Sequence, residues 1–231
     1  MRRLLTAVLL ALPAPALAQA YQCTPPARLG ALPVPRPDGP ARRAPIGQYT
    51  LAVTWAPEFC RNDRDPNSIE CSGRSGGFGF VLHGLWPESR SGPPPQWCSI
   101  TPRPSPQLIR QNLCMTPVPT MLEHEWARHG SCMAKTPAAY YAAAAHLWSG
   151  LHWPDADRLS RQRNLTVGDL RAAIALANPA WRPEQIGVVT SPGGWLRELR
   201  LCYSRRLKPV ACARGQLGPP DAAPLKIWRG L

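Results

Sequence analysis

The chain has no Cys-x-x-Cys pair, only three lysines (Lys135, Lys208 and Lys226), no internal repeat, and no apolar run of membrane-spanning length after its first twenty residues. Each absence narrows the field. Without Cys-x-x-Cys spacing, the eight cysteines do not read as a zinc ribbon or a dithiol redox centre. Without a second long apolar segment, the remainder has no helix with which to cross a bilayer. Without a fixed period it is not a solenoid. Carboxylates are scarce as well, 14 Asp and Glu against 27 Lys and Arg, for a formal net charge of +13. The 231 residues, 44 % of them hydrophobic, suffice for one well-packed domain.

What is there begins with "MRRLLTAVLLALPAPALAQA". Two arginines, an apolar run and small residues in Ala-x-Ala spacing read as a secretory leader over 1–20, too short and too proline-interrupted to anchor in a membrane. Residues 21–46, rich in proline and arginine, read as an extended arm or mobile lead-in, and 47–231 as the domain. The expectation is an exported protein, periplasmic or extracellular. Export makes disulfides the natural use of eight cysteines, with 105 pairings open. Local spacing favours Cys60 with Cys71 and Cys202 with Cys212, each pair closing a short polar loop between strand-like flanks. Charge points to a polyanionic partner, since a basic surface concentrates anions around it. A GC-rich genome would produce the same Arg-, Ala- and Pro-rich composition, so charge alone leaves both readings open.

"QYTLAVTW" (48–55) and "GFGFVLHG" (77–84) have the β-branched and aromatic content of buried strands, and "WLRELRLCY" (195–203) alternates as a half-buried one does. "SGPPPQWCSITPRPSPQ" reads as loop. "PVPTMLEHEWARHG" predicts a helix opening after Pro119 and closing at Gly130, "PAAYYAAAAHLWSGL" a second, and "TVGDLRAAIALANP" a third capped by Thr166. Strands and helices mix without regular βαβ alternation. That favours an α+β fold, a largely antiparallel central sheet flanked by helices and stabilised by disulfides.

Three of the five histidines fall in two dense stretches, "FVLHGLWPES" (80–89) and "EHEWARHGSC" (123–132). At 100° per residue, a helical "HEWARH" places His124, Arg128, Glu125 and His129 within about 140° of one another, with Trp126 and Ala127 turned to the core. A solvated helix face would give the same pattern. Zinc does not fit, because metalloprotease helices use His-Glu-x-x-His so that residues i and i+4 converge on one ion, and here the histidines are five apart. Cleavage of RNA by its own 2′-hydroxyl does fit. It needs a base, an acid and cationic donors for the phosphorane oxygens, roles that histidine and arginine fill without a metal. Trp86 would offer a stacking face for a base.

"FVLHGLWP" and "EHEWARHGSC" resemble the two active-site segments of the ribonuclease T2 family, the metal-independent acid ribonucleases of bacteria, fungi and plants. "LAVTWAPEFC" resembles the family's first core strand, and the cysteines at 202 and 212 its C-terminal bridge, so the likeness spans about residues 47–215. The resemblance implies an α+β fold with an antiparallel sheet, and endonucleolytic cleavage of single-stranded RNA through a 2′,3′-cyclic phosphate with no cofactor. It puts His129 at the family's general base and His83 at its general acid, the two exchanging tasks when the cyclic phosphate is hydrolysed. His124 matches the residue that holds the phosphate, Glu125 the supporting carboxylate and Trp86 an aromatic lining the nucleotide pocket. Glu88 falls where many relatives have an aspartate contributing to base recognition. The same resemblance pairs Cys98 with Cys132, after which Cys23 and Cys114 remain. One departure stands out: Arg128 occupies the place of the family's usual lysine. His146 and His152 lie outside the motifs and read as surface or packing histidines.

Two other classes stay open. A secreted RNA-binding or toxic relative without catalysis would be expected to have lost His83, Glu125 or His129, and none is missing. A metal-dependent nuclease would be silenced by chelator. The sequence favours a monomeric ribonuclease acting on single-stranded RNA, with no obligate protein partner and no membrane association.

Overall fold

The computed structural model describes residues 20–61, 63 and 65–230, so the leader expected at 1–20 lies outside them except for Ala20. In chain order the elements are β1 (Ala20–Tyr21), β2 (Ile46–Trp55), α1 (Ala56–Cys60), β3 (Gly77–Phe78), β4 (Phe80–Ser89), α2 (Pro106–Asn112), α3 (Pro119–Arg128), α4 (Pro137–Ser149), α5 (Ala156–Ser160), α6 (Val167–Ala177), β5 (Ile186–Ser191), β6 (Trp195–Ser204) and α7 (Arg214–Leu217). β4, β2, β6 and β5 form one antiparallel sheet in that order, and β1 pairs separately with β3. The fold is α+β.

Side chains alternate across a strand, so the register assigns each residue to a face. Leu51, Val53 and Trp55 of β2 stand beside Leu85, Leu82 and Phe80 of β4, and Leu51 and Val53 also beside Leu201 and Leu199 of β6. These residues are buried together with Trp126 of α3, Tyr140, Tyr141 and Ala144 of α4, and Leu170 and Ile174 of α6. That is the core. Helix starts follow local chemistry. Pro119 and Pro137 sit at first-turn positions where no amide bond is lost, and Thr166 forms a capping box with Asp169. The loop expected across 91–107 ends two residues early, because Ser105 caps α2 by accepting from the Leu108 amide. Two further elements carried no clear pattern in the sequence: β5, a six-residue edge strand, and α5, a single turn capped by Asp155.

The segment 22–45 runs extended along the domain and is tied down at several points. Cys23 is bonded to Cys114, Arg110 donates to the Pro26 carbonyl, Arg103 to that of Leu32, and Arg42 pairs with Gln96 as an isolated bridge. Leu29 and Leu32 pack on the core. Three other disulfides join Cys60–Cys71, Cys98–Cys132 and Cys202–Cys212.

The Cys23–Cys114 bridge closes a loop of sequence separation 91, against 10 for Cys202–Cys212. Loop-closure entropy makes the longer bridge worth about 4–5 kcal/mol and the shorter about 3. The double replacement Cys23→Ala with Cys114→Ala should therefore lower the denaturation midpoint more than the equivalent change at 202 and 212. Equal midpoints for the two variants in urea unfolding would contradict this.

Candidate active site

Two one-residue shifts in the sheet build the site. Along β4 the pairing runs Val53 with Leu82, then Ala52 with Gly84, leaving His83 as the extra residue of a β-bulge. Along β6 it runs Val189 with Glu198, then Thr190 with Leu196, leaving Arg197 extra. A bulge re-aims the residues around it. Strict alternation from Leu196 would turn Glu198 into the core; the shift turns it instead to the opposite face, in register with Thr54 and close to Arg200 beside Ala52.

On that face the His83 Nδ1 lies 2.8 Å from Oε2 of the buried Glu198, whose Oε1 accepts from the Arg200 Nε at 3.0 Å. The His83 Nε2 is 3.6 Å from Oε1 of Glu125, which α3 presents from the other side. Glu125 is only 3 % exposed and accepts from the Trp86 indole N–H at 2.7 Å. Gly84 makes this approach possible, since a Cβ there would overlap the Glu125 carboxylate and come within 2.8 Å of the indole nitrogen. Trp86 is bordered by both imidazoles, with ring centroids 5.2 Å from His83 and 5.5 Å from His129, and the Arg200 guanidinium lies 5.6 Å from its centre.

The remaining candidates come from α3 and its end. The helix stops at Arg128, so His129 is a C-cap residue with φ −113° and ψ −51°, and its Nδ1 is buried without a protein partner. A uniform helical wheel places these groups on one face; the structure separates them further, with Glu125 driven inward against β4 and Arg128 turned to the 22–45 segment. Arg128 is gripped by the Asp38 carboxylate and donates to the side-chain amide oxygen (Oε1) of Gln96 at 3.4 Å. Asp38 also accepts from the Trp97 indole at 3.0 Å, and the Trp97 ring meets His124 edge-on at 5.2 Å. Trp97 holds a left-handed backbone, φ 53°, which costs a bulky residue energy unless its surroundings impose it. They do: Gln96 is paired with Arg42, the Trp97 amide donates to the Arg128 carbonyl, and Cys98 is bonded to Cys132.

Glu88, the last of the sequence candidates, accepts from the Thr50 hydroxyl at 2.9 Å and from Gln216 of α7 at 3.1 Å, on the same face two residues beyond Trp86. His146 and His152 are exposed and elsewhere. Glu198, Arg200, Asp38 and Gln216 were not singled out from sequence. The first two lie in a strand whose alternation conceals the bulge, and the other two in segments without a motif.

The electrostatics separate the two imidazoles. Burial works against the His83 imidazolium, but the Glu198 hydrogen bond and the Glu125 and Glu198 charges outweigh it and raise its pKa. At His129 burial and the neighbouring Arg128, His124 and His83 act together, depressing its pKa to about 3. His124 is lowered by burial and by Arg128. Burial pushes the Glu125 carboxyl up to about 7, against the pull of His83 and the Trp86 hydrogen bond. Two clefts open beside His83. One of about 540 Å³ is lined by Phe59, Glu70, Val118 and Glu198 among others, and one of about 580 Å³ lies between α3 and Pro33–Arg36. Among the described residues no cluster of three or more His, Cys, Asp or Glu could hold a metal ion.

The Ribonuclease T2 family model matches residues 46–159, a span that holds β2, β4, α3 and every catalytic and substrate-binding candidate named from the sequence. Residues 46–159 belong to the ribonuclease T2 family. Over 187 residues it is 27 % identical to a probable ribonuclease of Haemophilus influenzae, the match covering 75 % of this chain and 64 % of that protein. Over 102 residues it is 33 % identical to a ribonuclease of Aeromonas hydrophila, covering 43 % of each. The chain thus spans less than two thirds of the length of either curated relative. The T2 fold extends past the matched segment: the solved structure of trichomaglin, described as a novel S-like ribonuclease, superposes with a TM-score of 0.63 at 20 % identity, covering 79 % of this chain and 98 % of that one.

Gly84→Ala should force Glu125 away from Trp86 and His83 or strain the sheet. Overpacking of this kind costs about 1–3 kcal/mol. Urea unfolding measures it, and a loss under about 0.5 kcal/mol, typical of an unconstrained surface change, would show that the approach is not tight.

Proposed function

We propose that this protein is an endoribonuclease that cleaves single-stranded RNA by transesterification through a 2′,3′-cyclic phosphate, with two histidines as acid and base and no metal. The observation that carries the reading is the pair of imidazoles on either side of Trp86 whose pKa values are displaced in opposite directions. Titratable partners pushed apart by their surroundings are how a site holds an acid and a base at one pH.

His129, kept neutral, takes the proton of the 2′-hydroxyl as its oxygen attacks phosphorus. His83, kept protonated, delivers a proton to the 5′-oxygen as the P–O5′ bond breaks. In hydrolysis of the cyclic phosphate the roles reverse, with water as nucleophile. Arg128 and His124 face the charge that builds on the non-bridging oxygens, where fixed cationic donors act most strongly in the transition state. Arginine in place of lysine keeps the charge and adds a planar fork, which Asp38 and Gln96 already orient. Trp86 and Glu88 face one base, and the clefts beside His83 are of nucleotide size. Four disulfides accord with an oxidising compartment. We read the first twenty residues as the leader that directs export. No helix of the described residues is long and apolar enough to cross a membrane.

With excess EDTA at mildly acidic pH, the oxidised protein should convert single-stranded RNA to fragments ending in 2′,3′-cyclic phosphate. Activity only on adding a divalent metal would replace this reading with a metal-dependent one, and no cleavage under either condition would leave an RNA-binding relative. His83→Ala and His129→Ala should each lose about 10²–10⁴-fold in rate; near-wild-type cleavage by either would remove that histidine from the mechanism. The profile of kcat/KM against pH should have its acid limb well below 6.5, set by the depressed His129, and its basic limb above 6.5, set by the raised His83. Both limbs falling together near 6.5 would refute the assignment.

A further inference from the structure

We propose that Glu198 is the positioning residue for His83: it accepts the Nδ1–H of the imidazole, locks its tautomer and orientation, and leaves Nε2 facing the cleft as the proton donor. This rests on the ribonuclease reading and deepens it.

The geometry is specific. A histidine has two ring nitrogens, and the partner of one decides what the other can do. Here Nδ1 is within hydrogen-bond distance of a carboxylate at 2.8 Å, while the distance from Nε2 to Glu125, 3.6 Å, is too long for a hydrogen bond. Nε2 therefore remains available for a 5′-oxygen. Glu198 cannot easily swing away, because its second oxygen accepts from Arg200 and the residue is only 5 % exposed. Both partners stand on strands of one sheet, across the central β2, each at or next to a one-residue register shift, and the shift at Arg197 is what brings Glu198 to the face of His83. The two shifts keep Leu82, Leu85, Leu196 and Leu199 in the core while His83 and Glu198 meet on the opposite face.

The charges facing His83 come from several elements. β6 contributes Glu198 and Arg200, α3 contributes Glu125 and His124, His129 stands just beyond the end of that helix, and Glu70 approaches from the segment before β3. Of these, Glu198 alone both hydrogen-bonds the ring and carries a charge that favours its protonated form. Arg200 opposes the imidazolium directly, yet it holds Glu198 in place and lies over Trp86. Removing the Glu198 charge thus leaves an opposing cation beside His83 with less to offset it.

Two readouts test the assignment. In the wild-type protein, ¹⁵N NMR of the imidazoles should show neutral His83 protonated at Nδ1 and bare at Nε2. This needs no variant and no activity, and the opposite tautomer would overturn the proposal. Glu198→Gln keeps an oxygen for Nδ1 but loses the charge. Its basic limb of kcat/KM, and the His83 titration followed by NMR, should both move to lower pH by about one unit or more, as expected on losing a counter-charge within 4 Å. Its rate at the acidic plateau should fall less than that of Glu198→Ala, which loses orientation as well. A basic limb and a His83 titration both unchanged in a folded Glu198→Gln protein would also overturn the proposal. Wild-type protein that cleaves no RNA, yet shows the Nδ1–H tautomer and the displaced titration, would refute the ribonuclease reading and leave Glu198 as the residue that sets His83.

Discussion

In an antiparallel sheet a side chain's face is fixed by its place in the alternation, so one extra residue sends everything after it to the other side. β4 takes that extra residue at His83 and β6 at Arg197. The remainder of the site hangs on these two shifts. Leu82 and Leu85 both stay in the core while His83 leaves it, and Leu196 and Leu199 both stay while Glu198 leaves it. The hydrophobic layer therefore closes without a gap at the point where the opposite face gains a paired histidine and glutamate. Gly84, next to the bulge, then leaves room for α3 to insert Glu125.

From this arrangement comes an asymmetry of charge. Carboxylates of Glu198 and Glu125 gather on His83, and cations gather on His129, with Arg128 the strongest of them. The two rings share Trp86 as a neighbour, so the difference arises over a short distance and cannot be produced by general burial, which disfavours the charged form of both. Glu125 belongs to the same balance. Its burial raises its own pKa, while the nearby histidine and the indole N–H favour its charged form. Asp38 takes part from a distant point in the chain by holding Arg128 and, through Trp97, the ring beside His124.

Much of this could be read from residues alone, and the parts that could not have physical causes. His83, Trp86, His124, Glu125, Arg128 and His129 lie in two compact segments, where short-range spacing carries the information. The structure brings all six to one region. The helix over 119–130 was legible from its proline start and glycine stop, but its last turn was not, and His129 falls outside the regular wheel. Cys60–Cys71 and Cys202–Cys212 follow from short loops; Cys23–Cys114 joins residues 91 apart, which no local rule reaches. Glu198 was hidden because period-two alternation assumes an unbroken register, and a bulge leaves no mark in the residue types around it. Residues 22–45, read only by composition, owe their path to contacts with Arg103, Arg110, Gln96 and Cys114, all from later in the chain.

The central claim is that the fold holds two neighbouring imidazoles in opposite charge states. The most direct measurement is a residue-specific NMR titration of the histidine side chains in the wild-type protein, with signals assigned through His83→Asn and His129→Asn variants. His129 should remain neutral down to a pH well below the ordinary 6.5, and His83 should keep its proton above 6.5. Titration of both at a common value, or His129 losing its proton at the higher pH, would contradict the structural basis for acid and base.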